Sequence, residues 1–255
     1  MAFLQLNDIS MEFSGIHALD GVKFAVRPGT VTSLIGPNGA GKTTLVNIIT
    51  GVLKPTSGTL SFEGQPLDNA TPRRIAKRGI RRTFQTVRLF PGLTVMENLI
   101  IGQYANQVSE RPFASLLPFG WGDRKQRDAA QDVLQRFELD MHAGTVASEL
   151  AYGTQRRVEI ARALVGEPKL LILDEPAAGM NDVETAQLRR DIEAIRASGV
   201  TVFLIEHDMS LVMAVSDDIV VLDFGKQIAQ GSPDEVSRNP EVIKSYLGAA
   251  SCAPM

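Results

Sequence analysis

Apolar positions along this chain fall into two patterns. Short continuous runs, Val31–Ile35, Leu170–Leu173 and Val200–Ile205, are what strands buried on both faces require, and Phe3–Ile9 and Thr59–Phe62 read as further strands. Two or more of the strands in the first 85 residues form an antiparallel edge. Helical spacing marks Thr44–Thr50, Arg124–Phe137, Gln155–Val165 and Asp182–Ala197, and in the last of these Val183, Leu188, Ile192 and Ile195 fit one face. Punctuation agrees with these elements: Gly51 stops the first helix, Thr71-Pro72 starts another that Gly79 ends, and Ser232-Pro-Asp-Glu and Asn239-Pro-Glu open two short helices near the C-terminus.

Strand, helix, strand in succession from Leu170 to Ile205 is a parallel crossover unit, so the fold class is α/β with a mainly parallel sheet. The strand signal fades from about 86 to 165, where a mostly helical insertion is expected, with a loop-rich stretch from Gly102 to Gly122 that carries Pro112, Pro118, Gly120 and Gly122. The chain therefore divides into a core of residues 1–85 and 166–250, a helical subdomain of residues 86–165 and a tail of residues 251–255, all within one domain.

One segment changes this from a fold to a chemistry. Residues 36–44 read Gly36-Pro-Asn38-Gly39-Ala40-Gly41-Lys42-Thr43-Thr44 and satisfy GxxxxGK[ST] between the strand Val31–Ile35 and the helix that follows. Glycines let successive backbone amides point inward at phosphate oxygens, and the helix N-terminus adds partial positive charge. Lys42 is placed to reach the β and γ phosphates and Thr43 to offer its hydroxyl to Mg²⁺. ATP and Mg²⁺ are the expected cofactors.

A second constellation lies at the end of the run Leu170-Leu-Ile-Leu-Asp174-Glu175. Ligands of open α/β sheets sit beyond the carboxyl ends of the strands, so these acids face the same edge as the phosphate loop. Adjacent strand residues point to opposite sides, which suits Asp174 to holding Mg²⁺ and Glu175 to orienting or deprotonating an attacking water. His207 follows the apolar run Val200–Ile205 and Glu206, again at a carboxyl end, where a γ-phosphate contact is expected.

Composition narrows the field further. Hydrophobic content of 44% with 22% charged residues is that of an ordinary globular chain, and no apolar run reaches the length that spans a bilayer. Met1-Ala-Phe-Leu-Gln-Leu lacks the basic start of a signal peptide, so a cytoplasmic location is expected. The single cysteine, Cys252, has no partner for an internal disulfide. A net charge of −3 gives no general attraction to nucleic acid or anionic membrane. One local exception is the cluster Arg73, Arg74, Lys77, Arg78, Arg81 and Arg82, which reads as a solvated helix face or as a face that docks a partner or lipid headgroups.

Taken together, the phosphate loop, Arg82-Thr-Phe-Gln85, Leu150-Ala-Tyr-Gly-Thr-Gln-Arg-Arg157, Leu171-Ile-Leu-Asp-Glu-Pro176 and Glu206-His-Asp208 make this chain resemble the ATP-binding subunits of ABC transporters over nearly its whole length. The resemblance implies a P-loop core with a helical subdomain. It assigns Gln85 a contact to Mg²⁺ and water, Phe13 a stacking contact on adenine, and Tyr152 and Gly153 a role in capping nucleotide. The signature position, Leu-Ser-Gly-Gly-Gln in the family, departs here: Ala151, Tyr152 and Thr154 replace serine, glycine and glutamine, while Gly153 is kept, ahead of the helix Gln155–Val165. Asn181 stands where aspartate is common.

These departures, with Arg82-Thr-Phe-Gln-x-x-Arg-Leu-Phe90 and the ending Asn239-Pro-Glu-Val-Ile-Lys-Ser-Tyr-Leu-Gly248, are similar to the ATPases of bacterial branched-chain amino-acid importers. That resemblance implies a head-to-tail dimer with an identical or paralogous ATPase, two membrane permease subunits at the inner face of the cell membrane, an external solute-binding protein acting indirectly, and no nucleic acid. Two alternatives differ in class: the ATPase of a lipid or lipopolysaccharide exporter, and a soluble ABC ATPase acting on nucleic acid or ribosomes.

Overall fold

A computed structural model of the chain describes residues 3–107 and 124–250. Its centre is a six-stranded sheet in the order β10-β9-β3-β8-β7-β6, built from β3 (Val31–Ile35), β6 (Ile80–Arg82), β7 (Leu170–Asp174), β8 (Thr201–Ile205), β9 (Asp218–Asp223) and β10 (Lys226–Gly231). All neighbours run parallel except the hairpin β9–β10 at one margin. Every residue of β3, β7 and β8 is buried, which is why these strands are mainly apolar, with Thr32 and Ser33 of β3 as buried polar exceptions.

Two cores lie on the two faces of that sheet, and strand alternation sorts the side chains between them. Leu170, Ile172, Phe203 and Ile205 join one core, and Leu171, Leu173, Val202 and Leu204 the other. The first core is closed by α1 (Lys42–Ile49) and by a second sheet, order β2-β1-β4-β5, from β1 (Leu4–Phe13), β2 (Ile16–Val26), β4 (Ser57–Phe62) and β5 (Gln65–Pro66). The expected antiparallel part of the fold is thus a sheet of its own, supplemented by the β9–β10 hairpin.

The second core is closed by α3 (Val95–Gln107), α4 (Arg124–Arg136), α5 (Tyr152–Leu164), α6 (Asp182–Ala197) and α7 (Met209–Val215). A short α2 (Pro72–Lys77), capped by the Thr71 side chain on the Arg74 amide, leads into β6. At the C-terminus α8 (Pro233–Ser237) opens with a Ser232–Glu235 capping box, and α9 (Pro240–Ala250) follows.

Four details differ from the sequence reading. Strand β2 is absent from it because the apolar period breaks: Leu19 pairs with Met11 and Val22 with Ile9, an irregular step accommodated at Asp20-Gly21, where Gly21 takes φ 64°. Gly102 lies inside α3, so residues 102–107 are helix, and the remainder of the expected loop, with Pro112, Pro118, Gly120 and Gly122, lies outside the described residues, as do Cys252 and the rest of the tail. Gly102 is a contact residue, since a Cβ there would strike the Arg162 carbonyl of α5. Helix α5 begins at Tyr152 rather than Gln155, which puts Gly153 in its first turn.

The fourth difference is Val183, which is 77% exposed, whereas Leu188, Ile192 and Ile195 are buried as expected. The first turn of α6 buries no side chain, and only its later turns meet the core. Leu188→Ala is expected to cost about 2–5 kcal/mol in denaturant unfolding, against less than about 0.5 kcal/mol for Val183→Ser. Equal costs would contradict this placement of the helix.

Candidate nucleotide site

Parallel pairing brings the polar strand ends level. Ile205 of β8 is in register with Leu34 of β3 and with Asp174 of β7, so the phosphate loop, the Asp174-Glu175 pair and Glu206-His207 leave the sheet at one edge. Gly36 is required there by close approach, because a Cβ would collide with the Leu222 carbonyl of β9. Gly41 precedes α1 with φ 99°, a left-handed conformation that suits glycine, and its missing side chain makes room for the Ala18 carbonyl of β2.

Helix α1 has no side-chain cap and no acidic residue in its first turn. Its free N–H groups and partial positive charge therefore remain for an anion. Lys42 is buried, and its Nζ donates to the carbonyls of Gly36 (2.6 Å) and Pro37 (2.9 Å). Burial lowers its pKa from the ordinary lysine value, and the nearby negative charge of Glu175 opposes that shift. Asn38, Gly39 and Thr43 are exposed on the loop, Ala40 is buried beneath it and Thr44 is partly covered.

Asp174 ends β7 with its carboxylate 2.7 Å from Arg82 Nη2, and Arg82 Nη1 donates to Asn47 Oδ1 of α1 at 2.8 Å. Glu175 takes φ 46°, so a left-handed turn, rather than pleat alternation, separates the two acids. Gln85 Nε2 donates to Glu175 Oε2 at 2.8 Å, which unites two residues that lie 90 positions apart. His207 stands at the end of the adjacent strand with an exposed imidazole. Phe13 is 43% exposed in the β1–β2 hairpin, whose Ala18 adjoins Gly41.

Tyr152 and Gly153 occupy the first turn of α5 and meet α6 and the turn before it. The Tyr152 ring packs against Gly179, and a Cβ on Gly153 would strike the Glu184 carboxylate. Glu184 and Asn181 form the capping box of α6, so the asparagine at that position has a local helix-starting role. The basic cluster is not one face. Arg82 is committed to Asp174, Arg78 donates to the Pro66 carbonyl, and burial lowers the pKa of Arg81, while Arg73, Arg74 and Lys77 are exposed on α2.

Two residues of the site, Glu206 and Arg156, lie in segments that carry the resemblance but have no role assigned by the sequence. Glu206 is fully buried and accepts from the amides of Ala177 (2.8 Å), His207 (2.9 Å) and Asp208 (3.4 Å), tying the turn after β7 to the end of β8. Arg156 is fully buried on α5 and donates to the carbonyls of Phe84 and Gln85. Only the apolar context of Glu206, directly after a buried strand, could have marked it.

Among the described residues no group of three or more His, Cys, Asp or Glu side chains gathers to hold a metal. Mg²⁺ is nonetheless compatible with Thr43, Gln85 and Asp174, because this ion takes one or two carboxylates and fills its shell with waters and nucleotide phosphates.

An uncapped helix behind a glycine-rich loop, with two acids at the end of a parallel strand one removed from the loop's own, defines a P-loop nucleoside-triphosphatase centre. The family model described as ABC transporter matches residues 19–178, so the chain belongs to the ATP-binding cassette family of ABC transporters. A second model, described as branched-chain amino acid ATP-binding cassette transporter, matches residues 226–251.

The high-affinity branched-chain amino acid transport ATP-binding protein LivG of Escherichia coli K12 is 45% identical over 97% of this chain and 98% of its own. The corresponding BraF of Pseudomonas aeruginosa is 43% identical over 97% and 98%. A nucleotide-free ATP-binding cassette from an ABC transporter superposes with a TM-score of 0.84 at 35% identity, covering 96% of this chain and 99% of that one. The ADP conformation of an ATP-binding cassette superposes at 0.86 and 35%, covering 97% and 99%.

Two outcomes are expected at this site. Lys42→Met removes a buried cation, so the nucleotide-free chain should melt no lower than wild type while losing the upward Tm shift that MgATP gives by mass action. Gly153→Ala should cost about 1 kcal/mol without nucleotide by displacing Glu184 from its cap, and Glu184→Ala should make that second change nearly free. Additive costs in denaturant unfolding would refute the contact.

Proposed function

We propose that the chain is the ATP-hydrolysing subunit of a branched-chain amino-acid importer, working in a head-to-tail pair of cassettes docked on two permease subunits at the inner face of the membrane, with solute delivered from a binding protein outside. The observation that carries the catalytic half is the Gln85–Glu175 hydrogen bond beside the phosphate loop and Asp174. The solute rests on full-length similarity to proteins named for branched-chain amino acid transport and on the matching C-terminal segment. Among the described residues no helix is long and apolar enough to cross a membrane, so the passage itself falls to other subunits.

In this reading adenine rests against Phe13, and the amides of residues 36–44 hold the phosphates. Lys42 exchanges the Gly36 and Pro37 carbonyls for the β- and γ-phosphate oxygens, recovering the charge interactions that burial denies it. Thr43, Gln85 and Asp174 would hold Mg²⁺, which when bound neutralises charge between the β and γ phosphates. Arg82 occupies Asp174 Oδ2, so Oδ1 would be the oxygen offered to the ion. Glu175, held by Gln85, orients the attacking water and accepts its proton, and His207 contacts the γ-phosphate.

In this reading a second chain completes the pocket. Tyr152 and Gly153 lie on their own α6 side, so a second cassette in inverted orientation supplies the cap, through the backbone amides and helix dipole of its α5, since Ala151 has no hydroxyl. Phe84 and Phe90 are 37% and 46% exposed, and the Arg88 guanidinium lies 4.2 Å from the centre of the Phe84 ring. Exposed aromatics with an arginine are the composition of a binding surface, and the permease is its proposed occupant.

Glu175→Gln should retain ATP binding within about twofold and lower ATPase turnover at least about 100-fold in the assembled transporter, with uptake of leucine, isoleucine and valine lost together. Near-normal hydrolysis would remove Glu175 from its role. Hydrolysis lost with branched-chain uptake intact would remove the solute assignment.

A further inference from the structure

A buried ion pair joins the helix that carries Tyr152 and Gly153 to the loop that carries Gln85. Arg156 and Glu159 of α5 are 0% and 2% exposed, and Arg156 Nη1 donates to Glu159 Oε2 at 2.9 Å. Taking two charges out of water is costly, and an apolar pair of similar size would serve the core equally well or better. What the charged pair adds is a hold on backbone. Arg156 Nη1 also reaches the Phe84 carbonyl, its Nη2 reaches the Gln85 carbonyl, and Glu159 Oε1 accepts from the Arg88 amide at 3.0 Å.

The planar guanidinium fork presents its donors in a fixed geometry, so it holds two successive carbonyls and a carboxylate in one arrangement. The segment it grips is otherwise open: Phe84, Gln85 and Thr86 are exposed, the Thr83 amide donates to Ile172, and the Gln85 side chain donates to Glu175. Arg156 Nη2 also lies 3.4 Å from the Tyr152 hydroxyl, one turn back on the same helix. Connected polar contacts therefore run from Tyr152 through Arg156 to the backbone of Gln85, and from the Gln85 side chain to Glu175.

We propose that Arg156 and Glu159 are positioning residues: they fix the Gln85 backbone so that its side chain meets Glu175, and they make that alignment depend on where the N-terminus of α5 sits. The inference rests on the catalytic and dimeric reading above. In a closed pair of cassettes the N-terminus of α5 caps the other cassette's ATP, so this clamp makes the occupancy of one nucleotide site felt at the glutamate of the other. The coupling is reciprocal in binding free energy.

The test uses the full-length chain in the assembled ATPase. Replacing both charges together, Arg156→Met with Glu159→Met, keeps the core apolar and leaves no stranded charge, so the fold is retained and checked by cooperative melting. The expected result is a kcat at least tenfold lower with KM for ATP within about twofold, and a Hill coefficient for ATP that falls toward one. Arg156→Lys, which keeps the charge but not the fork, should restore part of the rate.

Adding Gln85→Ala to the double Met variant should cause no further loss, because both changes disable one device. Wild-type kcat in a folded double Met variant, or losses that multiply with Gln85→Ala, would overturn the proposal. Should the double Met variant fail to melt cooperatively, Arg156→Lys and Glu159→Gln carry the same cycle with the same criteria. Glu175→Gln run in parallel separates the two levels. If it hydrolyses ATP normally the catalytic reading falls and the clamp with it, whereas its loss of activity beside an unaffected Arg156→Lys sinks the clamp alone.

Discussion

Parallel pairing of β3, β8 and β7 in one register is the constraint on which the rest of this structure depends. Parallel strands need crossover connections that cover both sheet faces, so the three strands are buried along their whole length and their charged groups lie at their ends. With Leu34, Ile205 and Asp174 level, those outlets coincide at one edge, and residues from four distant parts of the chain meet there. A slip of one residue in either pairing would turn the two cores inside out and separate the acids from the phosphate loop.

Beneath that edge lie charged groups that are buried because each ties two elements together. Arg82 bridges α1 to β7, Glu206 binds the turn after β7 to the end of β8, and Arg156 with Glu159 fastens the loop of Gln85 to α5. Each is expensive to desolvate and each is held by at least two hydrogen bonds inside the protein, although Nε of both Arg82 and Arg156 is buried without a partner among the described residues. Such ties are directional where apolar packing is not, so they fix the orientation of polar groups at this edge that hydrophobic contacts leave free to shift.

Periodicity made much of this architecture legible. The buried strands, the helix Asp182–Ala197 and the capped starts at Thr71 and Ser232 each carried a local reason for their structure, in apolar runs or in side chains that bond their own backbone. The misreadings have local reasons too. Gly102 and Gly153 looked like breakers but are glycines on account of another helix, Arg162 in one case and Glu184 in the other. Val183 fitted the apolar stripe, yet it lies in the first turn of its helix, where no side chain is buried. The bulge near Gly21 hid a strand by breaking the period of two.

By itself the sequence determined that there is a phosphate loop, that two acids end a buried strand, and that a glycine-bearing segment starts a helix, because each of these is written in consecutive residues whose backbone preferences and chemistry are local. Tertiary structure alone decided which groups touch: that Arg82 lies on Asp174, that Gln85 reaches Glu175, and that Arg156 grips the carbonyls of Phe84 and Gln85. These pairs are separated by 71 to 92 residues, and nothing in a residue's neighbours along the chain encodes a partner that only the packing of helices on a sheet can bring within hydrogen-bonding distance.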